Sequence, residues 1–380
     1  MSRAAPSHTA RRLPLLAAAV VALLAGLWAG LLRLGFDLPE LRPALAAEHG
    51  PLLVLGFLGT QIGLERAVAL RRGWAYVAPA AAGAGALWLL AGLPADSGRL
   101  LLCVGGLVLV AVFVALQRMQ PTWHHVVMGL GALAWLIGAA AWLAGADMVV
   151  VVPWLVAFLV LTIVGERLEL ARMRRPHAAA RAMLLAAVAV FLLGVALTCP
   201  LPDAGIRIAG AGLLLQAAWL ARFDVARVTI RRPGAPRYMA AALMAGYAWL
   251  AVAGVLWLTG GALAGWGFRY DAELHAIFLG FVFSMVFAHA PVIVPAVLGV
   301  PLPYRQAFYV PLVLLHAGLV ARVAGDLLAA TALWRWGGVA GEVAITGYVV
   351  LAAVTARRAR RAVARASRSR HPLTATVRMR

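Results

Sequence analysis

Apolar runs of about twenty residues alternate with short polar connections along the whole chain, and this alternation is the first feature the sequence presents. A helix rises about 1.5 Å per residue and the hydrocarbon layer of a membrane is about 30 Å thick, so about 20 mostly apolar residues make one crossing. Twelve such segments are predicted, at 13–35, 49–70, 74–93, 99–117, 122–145, 148–166, 180–199, 204–221, 238–260, 272–297, 305–327 and 336–356. The connections carry residues that stop helices, as in LPADSGR (93–99), CPLPDAGIR (199–207) and RRPGAPR (231–237). The pattern predicts an all-α, polytopic membrane bundle of about 12 helices, with tails at 1–12 and 357–380 and no soluble domain. The first segment is longer than the 7–15 residue apolar region of a signal peptide and lacks a clearly placed small-residue cleavage site, so it is read as a retained helix.

Composition agrees with this reading. Of 380 residues, 64% are hydrophobic and 13% charged, with a mean hydropathy of +0.90, more apolar surface than a water-soluble fold encloses. The formal charge of +20 would point to nucleic acid in a soluble domain. Its distribution points elsewhere. With the N-terminus placed inside, 27 of the 34 basic residues, all arginine, fall on the cytoplasmic side and seven on the other, which is the asymmetry that basic loops impose by resisting translocation. Both termini are therefore expected in the cytoplasm, and the lipid bilayer, not nucleic acid, is the expected partner. The arginines of 357–380 serve orientation, and could also meet anionic headgroups at about 1 kcal/mol each. Cys103 and Cys199 lie in apolar runs without metal or disulfide spacing and read as small core residues.

Against an apolar background, ionisable groups at membrane depth are the informative residues. His8, His177 and His371 fall in tails or a loop and read as surface residues. His49 and His275 each stand within about a turn of the start of a helix entering from the non-cytoplasmic side, so two helices present imidazoles at one depth. Such a pair suits axial haem ligation. His289 follows His275 by 14 residues, about 21 Å along an ideal helix and about 40° round it, which places both on one face. His124 and His125 start the fifth helix and His316 sits near mid-depth in the eleventh. These four are candidates for a second metal or a proton path, with interhelical hydrogen bonding as the competing reading. Gly56 and Gly63, at i+7 and i+14 from His49, make a stripe suited to a flat cofactor or, as the stronger reading, to helix packing. The helix 271–299 adds Phe278, Phe281, Phe283, Phe287 and Met285, and its end is broken by Pro291 and Pro295.

Charges form two further patterns. TQIGLERAVALRR (60–72) and TIVGERLELARMRR (162–175) repeat Thr, Gly and Glu-Arg, so Glu65/Arg66 and Glu166/Arg167 are expected as cross-helix ion pairs, with Glu65 and Glu166 as a weak proton path. Glu342 and an Arg322/Asp326 i,i+4 pair have the same two readings. Arg33, Arg42 and Arg269 lie near the His49/His275 level and are suited to haem propionates. Trp28, Trp266, Trp334 and Trp336 read as an interfacial belt.

HGPLLVLGF (49–57) and LHAIFLGFVFSMVFAH (274–289) resemble the second-helix and late-helix motifs of the NnrS family, twelve-helix bacterial membrane proteins associated with haem, copper and resistance to nitric oxide stress. The resemblance implies a bacterial inner-membrane location, haem held by His49 and His275, copper as a second metal, and nitric oxide or a similar diatomic molecule as ligand. The chain departs from that pattern at Ala47, where a further histidine usually stands. It also distantly resembles the catalytic subunit of haem-copper oxidases in helix number and in ligands on helices 2 and 10, without that family's His-x-His on helix 10. Two other functions stay open: a twelve-helix secondary transporter without haem, for which GLERAVALRR (63–72) is the relevant loop, and a cytochrome passing electrons from quinol to a redox partner.

Overall fold

The computed structural model describes residues 12–40, 42, 45–171 and 178–369. Among them are twelve helices long and apolar enough to cross a membrane, and no strand. In chain order these are α1 (Leu13–Arg33), α2 (His49–Leu70), α3 (Gly73–Leu90), α4 (Ala95–Met119), α5 (Trp123–Leu143), α6 (Met148–Ala171), α7 (Ala178–Leu197), α8 (Pro202–Phe223), α9 (Ala235–Gly260), α10 (Gly267–Leu298), α11 (Gln306–Leu327) and α12 (Thr331–Ser369). The largest difference from the sequence pattern is at α12, which begins before 336 and continues past 356 to Ser369. AVTARRARRAVARA (353–366) is built mostly of strong helix formers and holds no Gly or Pro to end the helix. His8, His177 and His371 lie outside the described residues.

Short turns make successive helices neighbours, and the most extensive pairings join α5 to α6, α7 to α8 and α11 to α12. α6 is the most enclosed helix and α12 the least. Several crossings are too close for side chains: a Cβ on Gly212 of α8 would lie 2.5 Å from Phe191 Cα of α7, and one on Gly210 would lie 2.5 Å from the Leu258 nitrogen of α9. The outer surface is apolar, with Leu107, Val310, Val313 and Val350 exposed, as lipid contact requires. Cys103 is buried as expected, whereas Cys199, at the end of α7, is exposed.

α2 and α10 share an irregularity. Each has a π-helical stretch just past a histidine, Leu52–Leu58 after His49 and Ala276–Phe283 after His275. Such stretches are rare and concentrate at functional sites. They also add residues to a turn, so the ideal-helix arithmetic that put His275 and His289 on one face does not hold. The two π stretches meet at Phe57 and Phe283, whose rings are 6.4 Å apart and 20° from parallel.

Further along α10, Pro291 lacks an N–H, so the Phe287 carbonyl four residues before it has no helical donor. Tyr348 of α12 donates its hydroxyl to that oxygen at 3.0 Å, and the Phe287 and Tyr348 rings stack 4.0 Å apart. Tyr348→Phe keeps the ring and removes the donor. Leaving the buried carbonyl unsatisfied is expected to cost about 1–3 kcal/mol, seen as a lower unfolding midpoint in detergent. A midpoint equal to that of the wild type would count against this role for the hydroxyl.

Candidate functional site: two imidazoles facing across a cavity

The first turns of α2 and α10 lie together at the end of the bundle where α1 and α11 finish. His49 and His275 consequently face each other, with ring centres 6.2 Å apart and planes 24° from parallel, and both line one cavity. An imidazole nitrogen binds a metal such as zinc at about 2.0–2.1 Å, so rings at this separation are close enough that both would reach one ion held between them.

His275 is held from behind. Its Nδ1 is 2.8 Å from the Asp271 carbonyl oxygen. Because a carbonyl only accepts, Nδ1 carries the proton and Nε2 offers its lone pair. The Asp271 carboxylate stands 3.3 Å from the same Nδ1. It accepts two bonds from Arg322 of α11, Nε to Oδ2 at 2.7 Å and Nη2 to Oδ1 at 2.9 Å, and one from Trp334 Nε1 of α12 at 3.1 Å. A carboxylate in this position fixes the tautomer and ring direction of a ligating histidine. No hydrogen bond holds the His49 imidazole among the described residues.

The cavity wall is mostly apolar, including Leu155, Phe278 and Phe283, with Arg33, Arg322 and Glu342 as its charged members. One carboxylate oxygen of Glu342 is buried with no hydrogen-bond partner. Side chains are missing where the wall is open: a Cβ on Gly50 would meet no atom within 4 Å, and one on Gly341 only Leu279 Cδ1 at 3.5 Å. Gly56 and Gly63 serve packing, against Ala86 and Pro79.

Several expected roles move. Arg33 and Arg322 are the arginines of the wall, in place of Arg42 and Arg269. Arg269 donates to Glu273 at 3.0 Å on its own helix and to the Leu256 carbonyl at 3.2 Å. Arg42 is ion-paired to Glu48, and desolvation lowers its guanidinium pKa. Arg322 pairs with Asp271, not with Asp326 at i+4. Trp334, expected in the interfacial belt, belongs to the clamp behind His275.

A second polar cluster lies at the opposite end of the same helices. Arg66 of α2 is ion-paired with Glu166 of α6 and, at 3.2 Å, with Glu65 beside it, so the two glutamates share one guanidinium. Arg167 grips Asp224 with two bonds, 2.8 and 2.9 Å, and donates from Nη1 to His289 Nε2 of α10 at 3.2 Å. Arg167 and Asp224 are both buried. Asp224 also accepts from the Ala226 N–H at 2.7 Å, capping the helical turn Ala226–Thr229.

The remaining histidines have separate partners. His124 is 3.2 Å from Thr122 Oγ1 and 3.9 Å from Glu169. The adjacent His125 donates from Nδ1 to the Gln120 carbonyl at 3.0 Å. His316 accepts from Trp249 Nε1 at 3.0 Å on Nδ1, and its Nε2 lies 3.4 Å from Ser284 Oγ, so α9, α10 and α11 are bonded through one ring. Of the four histidines weighed for a second metal, His124 and His125 stand together with ring centres 4.3 Å apart, while His289 and His316 each have partners of their own. Among the described residues no group of three or more His, Cys, Asp or Glu is arranged to hold a metal ion.

Residues 12–357 match the model of a family described as "Domain of unknown function (DUF8744)", most of the chain's length. The chain belongs to that family. No curated protein and no solved structure matches it. In this family member the polar residues that sequence reading passed over are Asp224 and Trp249, and for Asp271 it missed the clamp. Asp224 did carry a signal, as a lone acid in the arginine-rich stretch ARFDVAR (221–227). Trp249 carried none, being one of 13 tryptophans in an apolar chain.

Proposed function

We propose that the chain binds a b-type haem between His49 and His275 in a bacterial inner membrane and handles nitric oxide or a similar diatomic ligand. The observation that carries haem binding is the facing imidazole pair with centres 6.2 Å apart. The donor set fits the group: two neutral nitrogen ligands, one with a carboxylate behind it. Arg33 and Arg322 are cations suited to propionates, and the open spaces at Gly50 and Gly341 suit a flat molecule. Haem, when bound, supplies one-electron chemistry and a site for small ligands. The chain supplies the rest. Asp271 keeps the proton of His275 on Nδ1, Arg322 and Trp334 hold Asp271 in place, and Leu155, Phe278 and Phe283 exclude water.

Nitric oxide enters through the resemblance of 49–57 and 274–289 to NnrS motifs. Copper as a second metal enters through the same resemblance, and His124 and His125, with ring centres 4.3 Å apart, are the adjacent pair among its candidate ligands. The concentration of 27 of 34 arginines on alternate loops supports cytoplasmic termini. The same imidazole pair favours a second reading, a quinol-linked cytochrome, because His49 and His275 would together hold a haem that passes electrons without taking a further ligand.

Protein purified from haem-replete cells is expected to show a Soret band that disappears in the double variant His49→Ala/His275→Ala. No band in the wild type, or an unchanged band in the double variant, overturns haem binding and returns the chain to the transporter class. Reduction by quinol with no spectral response to nitric oxide selects the cytochrome.

A further inference from the structure

The two imidazoles are not equivalent. His275 sits inside the continuous helix α10, and its Nδ1 is fixed by the carbonyl and carboxylate of Asp271, which is itself fixed by Arg322 and Trp334. His49 is the first residue of α2, and its cap residue Glu48 makes no side-chain capping bond. Only three residues, His49–Pro51, are α-helical before the π stretch begins. Helix ends with few hydrogen bonds open at the least cost. The imidazole has no hydrogen-bond partner among the described residues, and the space beside Gly50 is empty to 4 Å. Leu27, Leu53 and Val54 line the cavity around it, with Arg33 and Arg322 as cations of the same wall.

We infer that, of the two histidines that would hold the haem, His49 is the exchangeable ligand: its dative bond to the iron would open, a small diatomic molecule would donate its own electron pair at the vacated position, and His275 would stay bound. This rests on the haem reading. The exchange replaces one two-electron donor by another, with no net transfer of electrons or protons. Ligand entry is therefore limited by how often His49 leaves, and the ligand arrives on the α1/α2 side of the cavity. Both readings of function then use one site, an electron carrier with His49 on and a diatomic-ligand site with His49 off.

Carbon monoxide is the probe, added to the reduced, purified full-length protein over a range of concentrations with absorbance as the readout. In the wild type the observed binding rate is expected to level off as carbon monoxide rises, because release of His49 sets the limit. His49→Ala is expected to keep its haem, to bind carbon monoxide in linear proportion to concentration and at least tenfold faster, and to regain the wild-type spectrum with added imidazole. His275→Ala is expected to lose most of its haem. Gly50→Ala, whose methyl group meets no atom within 4 Å other than those of its chain neighbours His49 and Pro51, provides a second variant that folds; by narrowing the space next to His49 it is expected to lower the plateau rate several-fold. A wild-type rate without a plateau, an unchanged plateau in Gly50→Ala, or retention of haem in His275→Ala with its loss in His49→Ala each overturns the inference while leaving haem binding intact. Absence of a Soret band in the wild type overturns haem binding itself.

Discussion

Arg167→Ala is expected to destabilise the bundle by about 3–5 kcal/mol, the cost of removing one partner from a buried ion pair. Asp224 is fully buried and Arg167 nearly so, and their two bonds of 2.8 and 2.9 Å tie the C-terminal part of α6 to the turn after α8. Without the guanidinium, the buried Asp224 carboxylate loses its two charge-assisted bonds, and His289 loses the donor to its Nε2. Asp224→Ala is expected to cost a similar amount, because it leaves the cation and also uncaps the helical turn at Ala226. Arg167→Met/Asp224→Leu removes both charges and is expected to recover most of the loss, since no unpaired charge remains. Yield of monodisperse protein in detergent and the unfolding midpoint measure all three. Equal damage from the single and double variants would assign the role to bulk and not to charge.

The second large effect concerns Asp271. Its alanine variant takes the carboxylate from behind His275 and at once releases Arg322 and Trp334. Loss of such a partner lowers metal affinity by about 10–100-fold, so if the chain binds haem as proposed, Asp271→Ala protein is expected to leave purification with much less haem per chain than the wild type. The Asp271 carbonyl bond to His275 survives, which is why the expectation is weakened binding and not abolition. Asp271→Asn retains a side-chain oxygen for Arg322 and is expected to fall between the two. Haem content per chain, from the pyridine haemochrome, decides; equal content in all three would remove Asp271 from the site.

The crossings were legible because twenty apolar residues in a row have few alternatives, and the pairing of His49 with His275 was legible because both lie toward the N-terminal ends of helices expected to enter from one face, although α10 begins at Gly267, eight residues before His275. The clamp was not. Asp271, Arg322 and Trp334 come from three helices, and no sequence spacing links position 271 to 322 or 334; Arg322 even had a plausible acid four residues away at Asp326. The π stretches were hidden for another reason. FLGFVF and VLGFLG look like ordinary apolar helix, and whether a turn closes at i+4 or i+5 is decided by what packs against it. Glu65 and Glu166 were read from local context as proton carriers, whereas Arg66 occupies both.

α2 and α10 each have one residue at the imidazole gap and another in the ion-paired cluster at the far end, where Arg66 and His289 are both fastened to α6. That arrangement is a pair of tongs with a fixed pivot. Over the 14 residues from His275 to His289, a tilt of about one degree moves the jaw by a few tenths of an ångström, enough to alter the hold on anything the two rings would grip. The spacing of the two rings is thus set as much by ions at the handle as by the residues beside them, and a substitution at Arg66 would be felt at the opposite side of the membrane as a change in grip.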